Sequence, residues 1–237
     1  INIDQGEKVT AILTTRAKDK TKFLFMGTKQ GSVKKTPIEE YANIRKNGLI
    51  SIKLDQGDIL SWVVPTTGQD DIILVTREGQ SIRFSESQVR PTHRDTSGVR
   101  GILLTKQDEI VSMNLVNDPE QELFVIMQNG LGKKTKISAW KRQSRGGSGI
   151  KAAQVTSKTG KIVTAQMIGP DDDTLVLTST KGQLIKLLLK DVPSLQRQTQ
   201  GVILMRVKAA EEVAAATVVS SKNQESTPAK ATVEIEE

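Results

Sequence analysis

The feature that most constrains this chain is internal repetition, because a fixed period dictates the architecture before any local motif is considered. Four stretches superpose, each an apolar run closing on a glycine: Phe23 to Gly31, Ile72 to Gly79, Leu123 to Gly130 and Leu175 to Gly182. The four glycines lie 48, 51 and 52 residues apart, and each leads into a second β-type run such as Ser81-Ile82-Arg83-Phe84. Turns such as Asn129-Gly130 supply the positive φ that tight hairpins need, so each repeat opens with a hairpin. A second set of glycines, Gly48, Gly98, Gly149 and Gly201, leads into a further strand, and runs such as Ile59 to Val64 close the unit. Runs of four to six residues rich in Val, Ile and Leu are too short for helices and suit strands buried on both faces. Four strands in about fifty residues, repeated, is the pattern of propeller blades. The expected fold is therefore all-β and propeller-like, with four-stranded blades.

The ends extend this reading. Asp4-Gln5-Gly6-Glu7 with Val9 to Leu13 matches Asp55-Gln56-Gly57-Asp58 with Ile59 to Val63, so the chain is expected to open on the last strand of an earlier blade. The expected organisation is a remnant at 1–15, four complete blades at about 22–65, 71–116, 122–168 and 173–219, and a disordered acidic tail at 220–237. Further blades are expected upstream, since propellers use four to eight. Aromatics are only 3% of the residues, which favours several thin aliphatic layers over one thick core. Cysteine is absent, which excludes disulfides and thiolate chemistry and fits a reducing, cytoplasmic setting.

Charge points to the partner. The chain carries +7 overall, yet its last eighteen residues hold two Lys against four Glu, leaving +9 on residues 1–219. Such a surplus suits a polyanion, whose counterions are released on binding. The fourth residue after each hairpin glycine is basic in every repeat: Lys35, Arg83, Lys134 and Lys186. A constant offset along a strand places these side chains on equivalent faces, so they are expected to form a basic band around the ring, supplemented by Lys34 and Lys133. The competing reading is that such lysines guard sheet edges against aggregation. The segment around each second glycine is basic as well: Arg45 and Lys46, Arg90 and Arg94, Lys141, Arg142, Arg145 and Lys151, then Arg197. Point charges without base-reading aromatics predict contacts to phosphates rather than bases, salt-sensitive and largely independent of sequence.

The densest of these loops, Trp140-Lys141-Arg142-Gln143-Ser144-Arg145-Gly146-Gly147-Ser148-Gly149, resembles a degenerate form of the seven-residue gyrase-A box, Gln-Arg-Arg-Gly-Gly-Lys-Gly. It matches at Gln143, Arg145, Gly146, Gly147 and Gly149 and departs at Ser144 and Ser148, where the family has cations. Thr96 to Ile102 and Thr199 to Arg206 extend the resemblance to the C-terminal domain of the gyrase A and topoisomerase IV A family. The resemblance implies a β-pinwheel that wraps double-stranded DNA on its outer rim and supports ATP-dependent negative supercoiling with the upstream gyrase A domains and the ATPase subunit. It implies a modulatory role for the acidic tail and places the full box on a first blade, which is expected upstream of these four.

Catalysis is not expected of the chain itself. His93, the lone histidine, sits among polar loop residues, Asp171-Asp172-Asp173 reads as a solvated turn, and Tyr41 follows a hairpin. There is no paired-carboxylate, phosphate-loop or metal-ligand spacing, so no catalytic residue, metal or cofactor is assigned. A propeller scaffold for protein partners is the competing class, although two Trp and one Tyr offer few interface anchors.

Overall fold

The computed structural model describes residues 9–13, 21–43, 48–208 and 210–220. Each repeat contributes a hairpin and a closing strand, and the second, third and fourth also contribute a two-residue strand. The hairpins are β1 (Phe23–Thr28) with β2 (Ser32–Pro37), β4 (Asp71–Thr76) with β5 (Gln80–Ser85), β8 (Glu122–Met127) with β9 (Leu131–Lys136), and β12 (Thr174–Ser179) with β13 (Leu184–Leu188). The closing strands are β3 (Leu60–Thr66), β7 (Ile110–Val116), β11 (Ile162–Met167) and β15 (Val213–Val219). The short strands are β6 (Val99–Arg100), β10 (Ile150–Lys151) and β14 (Val202–Ile203).

The strands assemble into four antiparallel sheets, ordered β3-β1-β2-β6, β10-β5-β4-β7, β11-β8-β9-β14 and β13-β12-β15. The all-β, blade-like architecture expected from the repeats is therefore present, with one difference. The short strand does not complete its own blade; it pairs with the outer hairpin strand of the preceding repeat. Arg100 lies opposite Ser32, Lys151 opposite Gln80, and Ile203 opposite Leu131. A repeat thus keeps three strands and gives one away, and among the described residues β13 has no donated strand beside it. Val9 to Leu13 carries no strand: its equivalents β3, β7, β11 and β15 pair with the first strand of their own repeat, and no such partner stands among the described residues. The rest of the expected remnant, and residues 221–237 of the expected tail, lie outside the described residues.

Side-chain alternation explains how the sheets stack. In β4, Ile72 and Leu74 face the first sheet and pack with Phe25, Val33 and Phe84, while Ile73 and Val75 face the third sheet and pack with Leu123, Val125 and Trp140. In β8 the other parity, Phe124 and Ile126, packs against Leu175 and Leu177 of the fourth sheet. The core is accordingly three intersheet layers, each formed between neighbours in the chain, and a fourth cluster of Leu24, Met26 and Ile52 built on the other parity of β1. The closing strands approach one another from sheet to sheet, which puts them on the inner side of the stack and the donated strands on the outer side.

Donation depends on the second set of glycines. Gly149 and Gly201 have φ of +74° and +80°, and a Cβ would stand 2.3 Å from Ser81 O and 2.5 Å from Gly132 O, respectively. Only glycine meets both the turn and the close passage over the neighbouring strand. Gly48 shares the turn, at φ +73°, but nothing lies within 4 Å of its Cβ position. Gly201→Ala is expected to destabilise the domain by about 2 kcal/mol or more, and Gly48→Ala by about 1 kcal/mol, the cost of the backbone conformation alone. Denaturant unfolding of both variants checks the difference.

Candidate nucleic-acid interface

The basic loops of the second, third and fourth repeats each follow a short 3-10 turn and cross onto the outer strand of the preceding sheet. Thr92 N donates to Lys35 O at 2.9 Å, Gln143 N to Arg83 O at 2.8 Å, and Leu195 N to Lys134 O at 2.8 Å. Three of the residues at offset four, Lys35, Arg83 and Lys134, therefore do lie in register, but in the seam between a strand and the loop laid across it.

That position changes what their side chains do. Lys35, 4% exposed, donates to Glu86 O at 3.0 Å and lies 3.8 Å from Glu86 Oε2. Arg83 Nε donates to Asp71 Oδ2 at 2.8 Å, and its Nη1 reaches Trp140 O at 3.2 Å. Lys134 is 3.2 Å from Glu122. These three cations are spent on carboxylates and loop carbonyls within the fold, so they do not form the open band expected from their spacing. Glu86 shows how tight one such seam is: fully buried, it also accepts from Thr66 Oγ1, Gly68 N and Asp70 N at 2.8 to 2.9 Å. The fourth member, Lys186, is exposed on β13.

Lys34 and Lys133 depart further from expectation, being 1% and 0% exposed. Lys34 Nζ donates to Ser51 O at 2.8 Å and to Arg94 O. Lys133 Nζ donates to Gln196 O at 2.7 Å, to Arg197 O, and to Thr199 O and Oγ1 at 3.1 and 3.2 Å. Burial lowers the pKa of Lys34, Lys35 and Lys133, and desolvation together with the Arg197 charge brings Lys133 down to about 8.

Exposed and half-exposed cations stand on the loops and donated strands of the outer side, among others elsewhere on the surface such as Lys106, Lys158 and Lys181. Arg100 on β6 and Lys151 on β10 are exposed, and both occupy the second position after the second glycine. An arginine of the following loop meets each: Arg145 Nη1 donates to Arg100 O, and Arg197 Nη1 to Lys151 O at 2.6 Å. Two consecutive sheets thus carry the same paired cations on their outer edge. Lys141 and Arg142 are exposed beside them, Arg142 with its Nε on Asp71 Oδ2 at 2.7 Å. Arg94 is half-buried, and Arg45 and Lys46 lie outside the described residues. Arg100 escaped the sequence reading; alignment on the second glycine, which pairs it with Lys151, reveals it.

In the box-like loop, Gly146 N donates to Gly101 O at 2.8 Å and Gly147 O accepts from Leu103 N at 2.9 Å, docking the loop on the segment that follows β6. Gln143 Nε2 and Arg145 Nε are buried donors with no acceptor. His93 is exposed and pairs with Glu40 at 2.8 Å, and Asp172 Oδ2 accepts from Gly169 N at 2.7 Å. Among the described residues no helix is long and apolar enough to cross a membrane.

Strand-exchanged sheets stacked in chain order, the first two with cations on their donated edges, define a β-pinwheel. A family model described as the DNA gyrase C-terminal domain, beta-propeller, matches residues 22–67, 70–117, 121–168 and 173–220, and the chain belongs to that family. It is 35% identical over 225 residues to the DNA gyrase A protein of Aminobacterium colombiense and 36% identical over 211 residues to that of Escherichia coli K12. These alignments cover 95% and 89% of the chain but only 27% and 24% of the relatives, so the chain spans about a quarter of their length. Among solved structures, the C-terminal domain of DNA topoisomerase IV superposes with a TM-score of 0.84 at 25% identity, over 93% of this chain and 68% of that one. A DNA gyrase A C-terminal domain superposes with a TM-score of 0.79 at 22% identity, over 92% of this chain and 72% of that one, a likeness of fold.

The buried ammonium of Lys133 has a signature in pH. Between about 8 and its usual 10.5 the unfolded chain holds a proton that the folded chain has lost, so stability rises with pH across that window. Below about pH 8 both states are protonated and the contribution is flat. Unfolding free energies of the wild type and Lys133→Met, measured from pH 7 to 10, are expected to diverge in favour of the wild type as pH rises.

Proposed function

We propose that the chain binds duplex DNA along its outer edge and bends it, as the C-terminal part of a gyrase-type A protein. The observation that carries this reading is the repeated cation pair, Arg100 with Arg145 and Lys151 with Arg197, on the donated edges of consecutive sheets. Membership in a family described by DNA gyrase supports it. Arginine and lysine on an edge with few aromatics suit phosphates, and binding of this kind is steep in salt and indifferent to sequence. Bending a short duplex costs about 1–6 kcal/mol, which several phosphate contacts on successive sheets offset together. The Gly-rich loop adds unpaired donors, Gln143 Nε2 and Arg145 Nε, that gain an acceptor if the loop opens onto a phosphate.

In the parent enzyme this bending would present a DNA segment to the upstream gyrase A domains and serve ATP-dependent negative supercoiling with the ATPase subunit, in the cytoplasm. The chain itself needs no cofactor for that role. The gyrase A relatives at 35–36% identity favour gyrase as the parent. Topoisomerase IV is the second reading, favoured by the superposition at a TM-score of 0.84. Residues 221–237, with their four Glu, would compete with DNA for the same cations.

Binding of the purified chain to long and short duplexes across a salt series tests the reading. Neutralising Arg100, Lys141, Lys151 and Arg197 together is expected to lower affinity and to flatten the slope of log affinity against log salt by about 0.9 for each phosphate no longer neutralised. Neutralising Lys35, Arg83 and Lys134 is expected to lower stability first. An unchanged slope in the outer-edge variant would remove the interface assignment.

A further inference from the structure

The two fully buried lysines lie under two of the arginine-bearing loops. Lys34 and Lys133 hold the same place in their hairpins, the third residue after the turn glycine, where the other two repeats have Ile82 and Ile185. Isoleucine serves packing there, so the site does not demand a cation for the sheet's own sake. A buried ammonium is costly unless its protons are met, and here backbone carbonyls of the next repeat's loop meet them. Lys133 takes those of Gln196, Arg197 and Thr199, whereas Lys34 takes the carbonyl of Arg94 together with Ser51 O of its own repeat and has the charges of Asp95 and Glu40 near it. The loop over β5 has Ile82 beneath it and is tied differently, by Trp140 Nε1 donating to Ser81 Oγ at 2.8 Å and Arg83 Nη1 to Trp140 O. No carboxylate is among the hydrogen-bond partners of Lys133, and the charge that acts on it is the repelling one of Arg197. The loop is thus curled around a cation that it accommodates only by pointing its carbonyls inward, which turns the Arg197 guanidinium outward onto Lys151 O.

We infer that Lys133, and Lys34 in the first sheet, are positioning residues for DNA binding: internal cations that hold the loops of Arg197 and Arg94 in the conformation that presents those arginines on the outer edge. The inference rests on the DNA-binding reading above. It differs from a phosphate-contact role, because the ammonium is sealed from solvent and acts through the arginine.

The test is a double-mutant cycle on the whole chain with a mixed-sequence duplex across a salt series, using Lys133→Met, Arg197→Gln and the pair. Methionine keeps the apolar stem and matches the isoleucine repeats, and a thermal melt of each variant establishes that it folds. Lys133→Met and Arg197→Gln are each expected to weaken binding severalfold and to flatten the salt slope by about 0.9, the value of one neutralised phosphate. The pair is expected to do no more than either alone, because both act on the same phosphate. Wild-type affinity and slope in Lys133→Met, or additive losses in the pair, would overturn the positioning role while leaving the DNA-binding reading intact. Failure of the wild type to bind DNA would overturn both. Should Lys133→Met not fold, Lys34→Met with Arg94→Gln runs the same cycle on the other loop and decides by the same outcomes.

Discussion

Everything in this structure depends on each repeat laying a loop and a short strand across the open outer edge of the sheet before it. The hairpins are apolar on both faces and stack through thin layers, but such layers alone leave one edge of every sheet with unpaired backbone groups. The donated strands β6, β10 and β14 cover those edges, and the seams beneath them absorb charged groups that a propeller of self-contained blades would leave outside. Glu86 with Lys35, and Asp71 with Arg83 and Arg142, are seam interactions in which a buried carboxylate meets cations of neighbouring strands and loops. Their worth lies less in Coulomb attraction than in leaving no buried charge unmet, which fixes where the crossing loop can sit.

The same crossing creates the surface proposed to bind DNA. A loop that leaves its own repeat arrives on the neighbour's outer edge, so its arginine meets the basic strand that the neighbour has itself given away. The pairing of Arg145 with Arg100 and of Arg197 with Lys151 is a product of topology, repeated at the spacing of the sheets. The third sheet breaks the pattern, carrying Ile203 where the first two have Arg100 and Lys151. Charge on the outer edge is therefore graded along the stack.

Much of the fold was legible because the repeat is written in residues with steric meaning. Turn glycines such as Gly130 and Gly149 mark positive φ, and runs such as Ile72 to Thr76 mark strands covered on both sides. Strand donation was not legible. Val99-Arg100 has the same composition whether it closes its own sheet or its neighbour's, and only the long-range pairing with Ser32 and Val33 decides. The candidate site divides along the same line. Periodicity placed Lys35, Arg83 and Lys134 at one register, but no single sequence says that a loop will cover them or that Lys133 will be sealed beneath Thr199. Lys141, Arg142, Arg145, Lys151 and Arg197 lie on the covering loops and donated strands themselves.

Donation runs in one direction, from each repeat to the sheet before it, and this orders events during synthesis. A sheet cannot be finished when its own hairpin leaves the ribosome; it waits for the donated strand, 63 to 67 residues further on, a delay of roughly 3–13 s at ordinary elongation rates. Through that interval the outer hairpin strand stands open, and every ribosome translating the message carries the same unfinished edge. Among the described residues the last sheet keeps that state, with Leu184 62% and Leu188 45% exposed along β13 and the exposed Lys186 between them. A charge set midway along an open strand is what discourages a second chain from completing it.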